Sequence, residues 1–141
     1  MTSSIKLVYC IRRLPHLDHA QFQAYWRDVH APIVLERAAV LGMRHYVQSR
    51  ALNDNYSKSL AKNRGGPPAF DGIAELLFES RESQTEESRN LARIANAELI
   101  ADERRFIDLS ASPMFLVEEH LIFEKDANGV IRDFLQMRRP D

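Results

Sequence analysis

The sequence predicts an α+β fold of ferredoxin-like type, in which a four-stranded antiparallel sheet carries both helices on one face. Three observations predict it. Four short segments are rich in β-branched, aromatic and aliphatic residues at strand length. Two longer segments repeat their apolar residues at helical spacing. The order in which these segments occur is β-α-β-β-α-β, the split βαβ arrangement. At 141 residues the chain fits one domain with enough length to bury a core, spanning 1–141 with an extension from 125 to 141.

In Ile5–Ile11, Ile5, Leu7, Tyr9 and Ile11 fall on one face, with Lys6, Val8, Cys10 and Arg12 on the other. Leu14-Pro15-His16-Leu17 stops this strand. Asp18 with Gln21 three residues on fits a capping box that opens an aromatic helix. Phe22, Trp26 and His30 are spaced four apart and share a face, which Val29 widens. Pro32 disfavours helical geometry at Ala31 and removes a backbone donor, so the helix is expected to break or kink just after His30. Residues 33–41 read as a second helical piece, stopped by Gly42. Met43–Arg50 alternates as the second strand, with Arg44, Tyr46 and Gln48 facing away from Met43, His45 and Val47.

Residues 52–71 show no clear period and contain Asn53-Asp54-Asn55, Gly65-Gly66 and Pro67-Pro68, which predicts a long loop that is a lid, a binding loop or disordered. The third strand is read at 72–80, rich in Ile73, Leu76, Leu77 and Phe78. The second helix is read at 86–100, with Leu91, Ile94, Ala95 and Leu99 as its apolar stripe. A short helical turn follows Asp102, whose carboxylate can cap it. The fourth strand is read at 115–123, with Phe115, Val117, Leu121 and Phe123 on one side. Beyond Lys125 the chain turns at Asn128-Gly129 and either adds a short strand or drapes over the surface.

Composition narrows the function classes. The chain is 45% apolar and 28% charged with a net charge of -1, which describes a globular protein with no electrostatic reason to bind nucleic acid or an anionic membrane. No apolar run approaches bilayer length and no signal peptide is visible, so a cytoplasmic location is expected. Cys10 is the only cysteine, which excludes an internal disulfide and a thiolate metal cluster and reads as an inert thiol in an apolar strand. Two helices cover only one face of four strands. The other face still carries apolar residues, so a homodimer packed sheet against sheet is expected.

Few residues have the chemistry of a site. An imidazole at a helix end over a wall of rings can take and return a proton near neutral pH. His30 equally reads as a core or capping histidine bonded to the last carbonyls of the helix, and from spacing alone that is the commoner arrangement. A helix C-terminus would favour its protonated form and burial the neutral one. Tyr46 and Glu75 sit on neighbouring strands in apolar surroundings. They can orient a hydroxyl or carbonyl group, or they can bond a backbone carbonyl and an arginine such as Arg44. Glu118, Glu119 and His120 alternate in direction and cannot meet at one metal. His16, His19, His30, His45 and His120 have no zinc-site spacing, so no metal is expected, and His16 with His19 reads as a solvated pair. Asp102-Glu103 and Asp108 read as structural, and Arg12-Arg13 and Arg138-Arg139 as surface pairs, with Arg12 able to reach an anionic group. Gly65-Gly66 is no phosphate loop, and no Gly-x-Ser-x-Gly elbow occurs.

Four motifs carry a resemblance. Phe22-x-x-Tyr25-Trp26-x-x-x-His30-x-Pro32, Gly42-x-x-x-Tyr46-Val47-Gln48, Phe70-Asp71-Gly72-Ile73-Ala74-Glu75-Leu76-x-Phe78 and Asp102-Glu103-x-x-Phe106-x-Asp108 occur in this order over most of the chain. They resemble the EthD domain family, of the dimeric α+β barrel group. The resemblance implies a small, cofactor-independent protein that acts on or binds an aromatic, polyketide-like or lactone compound. Relatives in that group include isomerases, polyketide cyclases and dehydratases, cofactor-free monooxygenases and haem-degrading enzymes. Carried onto this sequence, it makes His30 the catalytic residue with Trp26 beside it, and favours a ligand-facing Tyr46. The resulting expectation is a lyase or isomerase in which His30 exchanges protons and Phe22, Trp26, Tyr46, Glu75 and Phe106 contact substrate. The alternatives are a binding protein for an aromatic or haem-like ligand, accessory to catabolic oxidation, and a cofactor-free monooxygenase.

Overall fold

A computed structural model describes residues 5–80 and 84–135; the Met1–Ser4 lead and the Arg138-Arg139 pair lie outside them. Strands β1 (Ile5–Ile11), β2 (Met43–Arg50), β3 (Gly72–Phe78) and β4 (Met114–Glu118) form one sheet in the order β2-β3-β1-β4, and every neighbouring pair is antiparallel. This is the α+β, four-stranded antiparallel architecture the periodicity predicts. Register puts Tyr46, Leu76, Leu7 and Leu116 in one row across the sheet, and Gln48, Ala74, Tyr9 and Met114 in the next.

Those rows face the helices. Helix α1 (His19–Tyr25) opens on the expected capping box, with Asp18 accepting from Gln21 N and the Gln21 side chain bonding back to Asp18 N. It delivers Phe22 and Trp26 onto Tyr9, Ile11, Ala74 and Leu76, and Phe106 and Ile107 close this core. A second cluster joins Val34 of α2 (Ala31–Arg37) and Leu41 to Ala92, Ala95 and Leu99 of α4 (Glu86–Glu103).

The helix does not break at Pro32. Trp26–His30 forms a π-helical turn in which the Ala31 N–H donates to Trp26 O, and α2 continues with Ala31 still in right-handed helical geometry. Proline lacks an N–H and its ring would crowd the carbonyl four residues back in a regular α-turn; the wider turn relieves both. His30 therefore lies inside a continuous helical run, and the helix-end dipole foreseen for it does not act there.

Other departures are local. The 52–71 segment contains α3 (Asn55–Asn63), capped by Asp54 accepting from Ser57 N at 2.7 Å, and none of its residues is buried. A register shift between Met43 and His45 turns Met43 onto the core side with Tyr46, where strict alternation would oppose them. The buried face of α4 is Ala92, Ala95, Leu99, Asp102 and Glu103, so Leu91 and Ile94 of the expected stripe are exposed instead. The fourth strand ends at Glu118. Phe123–Lys125 and Ile131–Asp133 then pair as a separate hairpin, β5 and β6, around Gly129 at φ 82°.

Asp71 fastens the β1 and β3 ends. Its carboxylate accepts from Arg13 Nη1 at 2.6 Å and Arg13 N at 2.9 Å, and lies 3.5 Å from His19 Nδ1. His19 Nε2 also lies 3.1 Å from Ala51 O, so His19 is a half-buried latch and not part of a solvated pair. Arg12 stacks on the Phe70 ring and bonds Pro68 O and Ala69 O, a role within the chain.

Candidate active site

The aromatic helix aims its imidazole at the seam between the two cores. His30 is buried at 6% exposure, its ring centroid 4.9 Å from that of Phe106. Its partner is a side chain and not a main-chain oxygen: His30 Nδ1 lies 2.7 Å from Asp102 Oδ2. The other Asp102 oxygen accepts from Tyr25 OH at 2.6 Å. With Asp102 as carboxylate, Nδ1 carries the proton and Nε2 is the basic nitrogen. Burial pushes the His30 pKa below its ordinary value, while Asp102 pulls against that shift. The imidazole is therefore neutral near pH 7.

A half-open cleft of about 980 Å³ adjoins it, between the helix side of the sheet and α4. The buried His30, Trp26, Tyr9 and Glu103 line it together with Tyr46 and the exposed Met114 and Leu116 of the edge strand. Most of the lining is aliphatic or aromatic, as in small-molecule sites, and its polar members include Lys6, Glu79, Arg89, Arg93 and Asn96. Tyr46 OH accepts from Gln48 Nε2 at 2.9 Å, and the same amide donates to Trp26 O at 2.9 Å. The cleft floor is thereby tied to the π turn. Burial raises the Tyr46 phenol above its ordinary pKa, so it stays protonated.

Glu103, the residue after Asp102, brings a second carboxyl to the cleft. It is buried and hydrogen-bonded to Tyr9, and its pKa is raised from 4.5 to about 7. Burial is the largest cause, opposed by the Tyr9 bond and assisted by the negative charge of Asp102. The same contact and burial raise the Tyr9 phenol well above its usual range.

Of the sequence-predicted residues, the fold brings His30, Trp26 and Tyr46 to the cleft. Phe22 and Phe106 are fully buried one layer behind, with ring centroids 5.7 Å apart, and support Trp26 and His30 from the back. Glu75 is not brought to the cleft. It stands opposite Val8 and Val47, alternating with the inward Ala74 and Leu76, and pairs with Lys6 at 3.2 Å on the outer sheet face. Sequence reasoning missed Asp102, Glu103, Tyr25, Tyr9 and Gln48. Asp102 is no N-cap but sits in the last turn of α4. Two acids there oppose the helix dipole, a signal that they are held for another purpose. Among the described residues, no group of three or more His, Cys, Asp or Glu is placed to hold a metal, and no helix is long and apolar enough to cross a membrane.

An α+β domain with a buried histidine beside an apolar cleft is the class that fold and site define. The chain belongs to the EthD domain family, whose model matches residues 14–110, from the strand-ending loop through the buried acids to the turn before β4. Among solved structures it is similar to an EthD-like protein from Ralstonia eutropha, at 22% identity and a TM-score of 0.51, over 83% of this chain and 93% of that one. It is also similar to an ethyl tert-butyl ether D (EthD) family protein from Bacillus halodurans, at 18% identity and a TM-score of 0.53, over 83% and 99%. A hypothetical protein from Arabidopsis thaliana shares the fold at 13% identity and a TM-score of 0.51, over 84% and 90%. No curated protein matches the chain.

Proposed function

We propose that this protein is a cofactor-independent lyase or isomerase that moves protons on a small aromatic, polyketide-like or lactone compound, with His30 as general base and acid. One observation carries the reading: a neutral, buried imidazole, fixed through Nδ1 by Asp102, borders a largely apolar cleft of ligand size. Nε2 takes a proton from carbon or hydroxyl next to a carbonyl. The imidazolium that forms is stabilised by the Asp102 carboxylate, which Tyr25 holds in place. The proton then returns to another atom, giving an isomer, or leaves with a hydroxyl group as water. Trp26 supplies an apolar wall and Tyr46 a polar contact.

His30→Gln tests this, because the amide keeps a donor toward Asp102 without a basic nitrogen. Turnover of any compound the wild type converts is expected to vanish with the melting temperature nearly unchanged. Equal turnover in the variant defeats the role. A carrier that sequesters the same ligand is the second reading, favoured by the volume of the cleft, and mass spectrometry separates them. An isomerase gives equal mass, a dehydratase loses water, an oxygenase gains oxygen, and a carrier returns its ligand unchanged. The working unit is a homodimer joined through the outer sheet face, a reading supported by Ile73 and Phe115, which stand 37% and 49% exposed there.

A further inference from the structure

The His30 reading uses one of the two acids at the end of α4 and leaves the other unexplained. Glu103 is buried in an apolar surround, lines the same cleft as His30, and has Tyr9 as its hydrogen-bonding partner. A buried carboxyl group whose only cationic influence is the flanking Arg104 is costly in such a place unless it serves a ligand. We propose that Glu103 is the cleft's hydrogen-bond donor to a ligand's carbonyl oxygen, with Tyr9 as its positioning partner, so that the site takes aryl ketones and related enolisable carbonyl compounds. The inference rests on reading the cleft as a small-molecule site and names what that site recognises.

The groups facing Glu103 agree with this role. Tyr9 from β1 donates its O–H to one carboxyl oxygen, which leaves the acid O–H of the other for a ligand. Tyr46 from β2 is near enough to feel its charge, and Asp102 adds a negative charge that favours the neutral acid. The only cation among its influences is Arg104, a flanking residue whose effect is the smallest. His30 lines the same cleft and is itself neutral above its lowered pKa. A ketone whose oxygen accepts from Glu103 gains most when that oxygen becomes the enolate, the species that removal of the neighbouring C–H proton by His30 creates. In that step the C–H bond breaks, its electron pair forms the enolate C=C, the proton goes to Nε2, and the oxygen's negative charge meets the Glu103 O–H. Reprotonation at carbon restores every group.

The probe is 2-acetylnaphthalene, a fluorescent aryl ketone with no titrating group and an exchangeable methyl group. Its affinity for the wild type is expected to fall about tenfold or more between about pH 6 and about pH 9, as Glu103 loses its proton. Glu103→Gln, which keeps a donor but cannot ionise, should bind with no such dependence. Tyr9→Phe should move the midpoint upward, because the Tyr9 bond favours the ionised carboxylate. No binding by the wild type, a flat wild-type profile, or an unaltered profile in Glu103→Gln each overturns the proposal. Deuterium uptake by the methyl group in D2O reports separately on His30. Its absence in the wild type defeats the proton-transfer reading and leaves the Glu103 result standing.

Discussion

Gly72 makes the geometry beneath the cleft testable by one methyl group. A Cβ there would lie 2.5 Å from Trp26 Cζ3, 2.7 Å from Trp26 Cη2 and 3.1 Å from Ser49 O. Carbon atoms prefer about 3.5–4.0 Å, so Gly72→Ala requires the indole to retreat by about 1 Å. The ring has nowhere to go: Trp26 is almost fully buried, and the Phe22 ring stands behind it at 5.5 Å between centroids. The strand is equally fixed, since Gly72 pairs with both Ile11 and Arg50. Overpacking of this kind costs about 1–3 kcal/mol. Reduced freedom of the unfolded chain returns about 0.4–1 kcal/mol, because φ at Gly72 is an ordinary one. A net loss of about 1–2 kcal/mol lowers the Tm by about 3–7 °C for a chain of this size. Scanning calorimetry measures it, with Trp26→Phe as the control that removes the clashing atoms. Gly72→Ala should cost less than half as much in that background. A Tm unchanged within about 1 °C, or equal losses in both backgrounds, refutes the packing argument.

Asp102→Asn turns the group facing His30 Nδ1 into a donor, moves the proton to Nε2 and removes the base. Exchange or turnover should fall by about 10²–10⁴-fold, with the tautomer change visible in ¹⁵N spectra, and a retained rate would falsify the dyad. Glu103→Gln should also change stability with pH. The folded pKa of about 7 exceeds the unfolded 4.5, so the group's contribution is whole below about 4.5 and is lost as pH rises through 7. Above neutrality the glutamine variant should resist urea better than the wild type by up to about 3 kcal/mol, an advantage that shrinks toward about pH 5. No pH-dependent difference between the two would show that Glu103 titrates as an ordinary carboxylate. If the proposed dimer forms, light scattering should give twice the chain mass for the wild type and a single chain mass for Phe115→Glu on the outer sheet face; equal masses remove that face from the assembly.

The face of β1 was legible because alternation is local: Ile5, Leu7, Tyr9 and Ile11 need no knowledge of their neighbours, whereas the end of β4 at Glu118 and the shift at Met43 depend on strand pairing. The capping box at Asp18 was legible for the same reason. The α4 face was not. Leu91 and Ile94 are its larger apolar residues, yet Ala92, Ala95 and Leu99 are the ones that pack against Val34 and Leu41. The existence of α4 was readable and its rotation was set by tertiary packing, while α3 lies in a segment whose sequence shows no clear period. Pro32 misled because a proline rule stated for α-geometry does not cover a π turn. Glu75 and Asp102 exchanged roles for a similar reason. Both stood in the family's motifs, but only coordinates decide which carboxylate faces the imidazole and which faces Lys6.

The widened turn at Trp26–His30 has a consequence for how the site tolerates change. Each residue of a regular helix advances the chain by about 100°. The π turn holds one residue more than an α turn and absorbs a deletion by closing, but removing a single position of α1 before it would swing everything after by roughly that angle, with every side chain of the dyad still present in the sequence. Where the imidazole points is thus a matter of spacing along the chain as much as of chemistry, and length variants of this helix probe the site more sharply than most point substitutions.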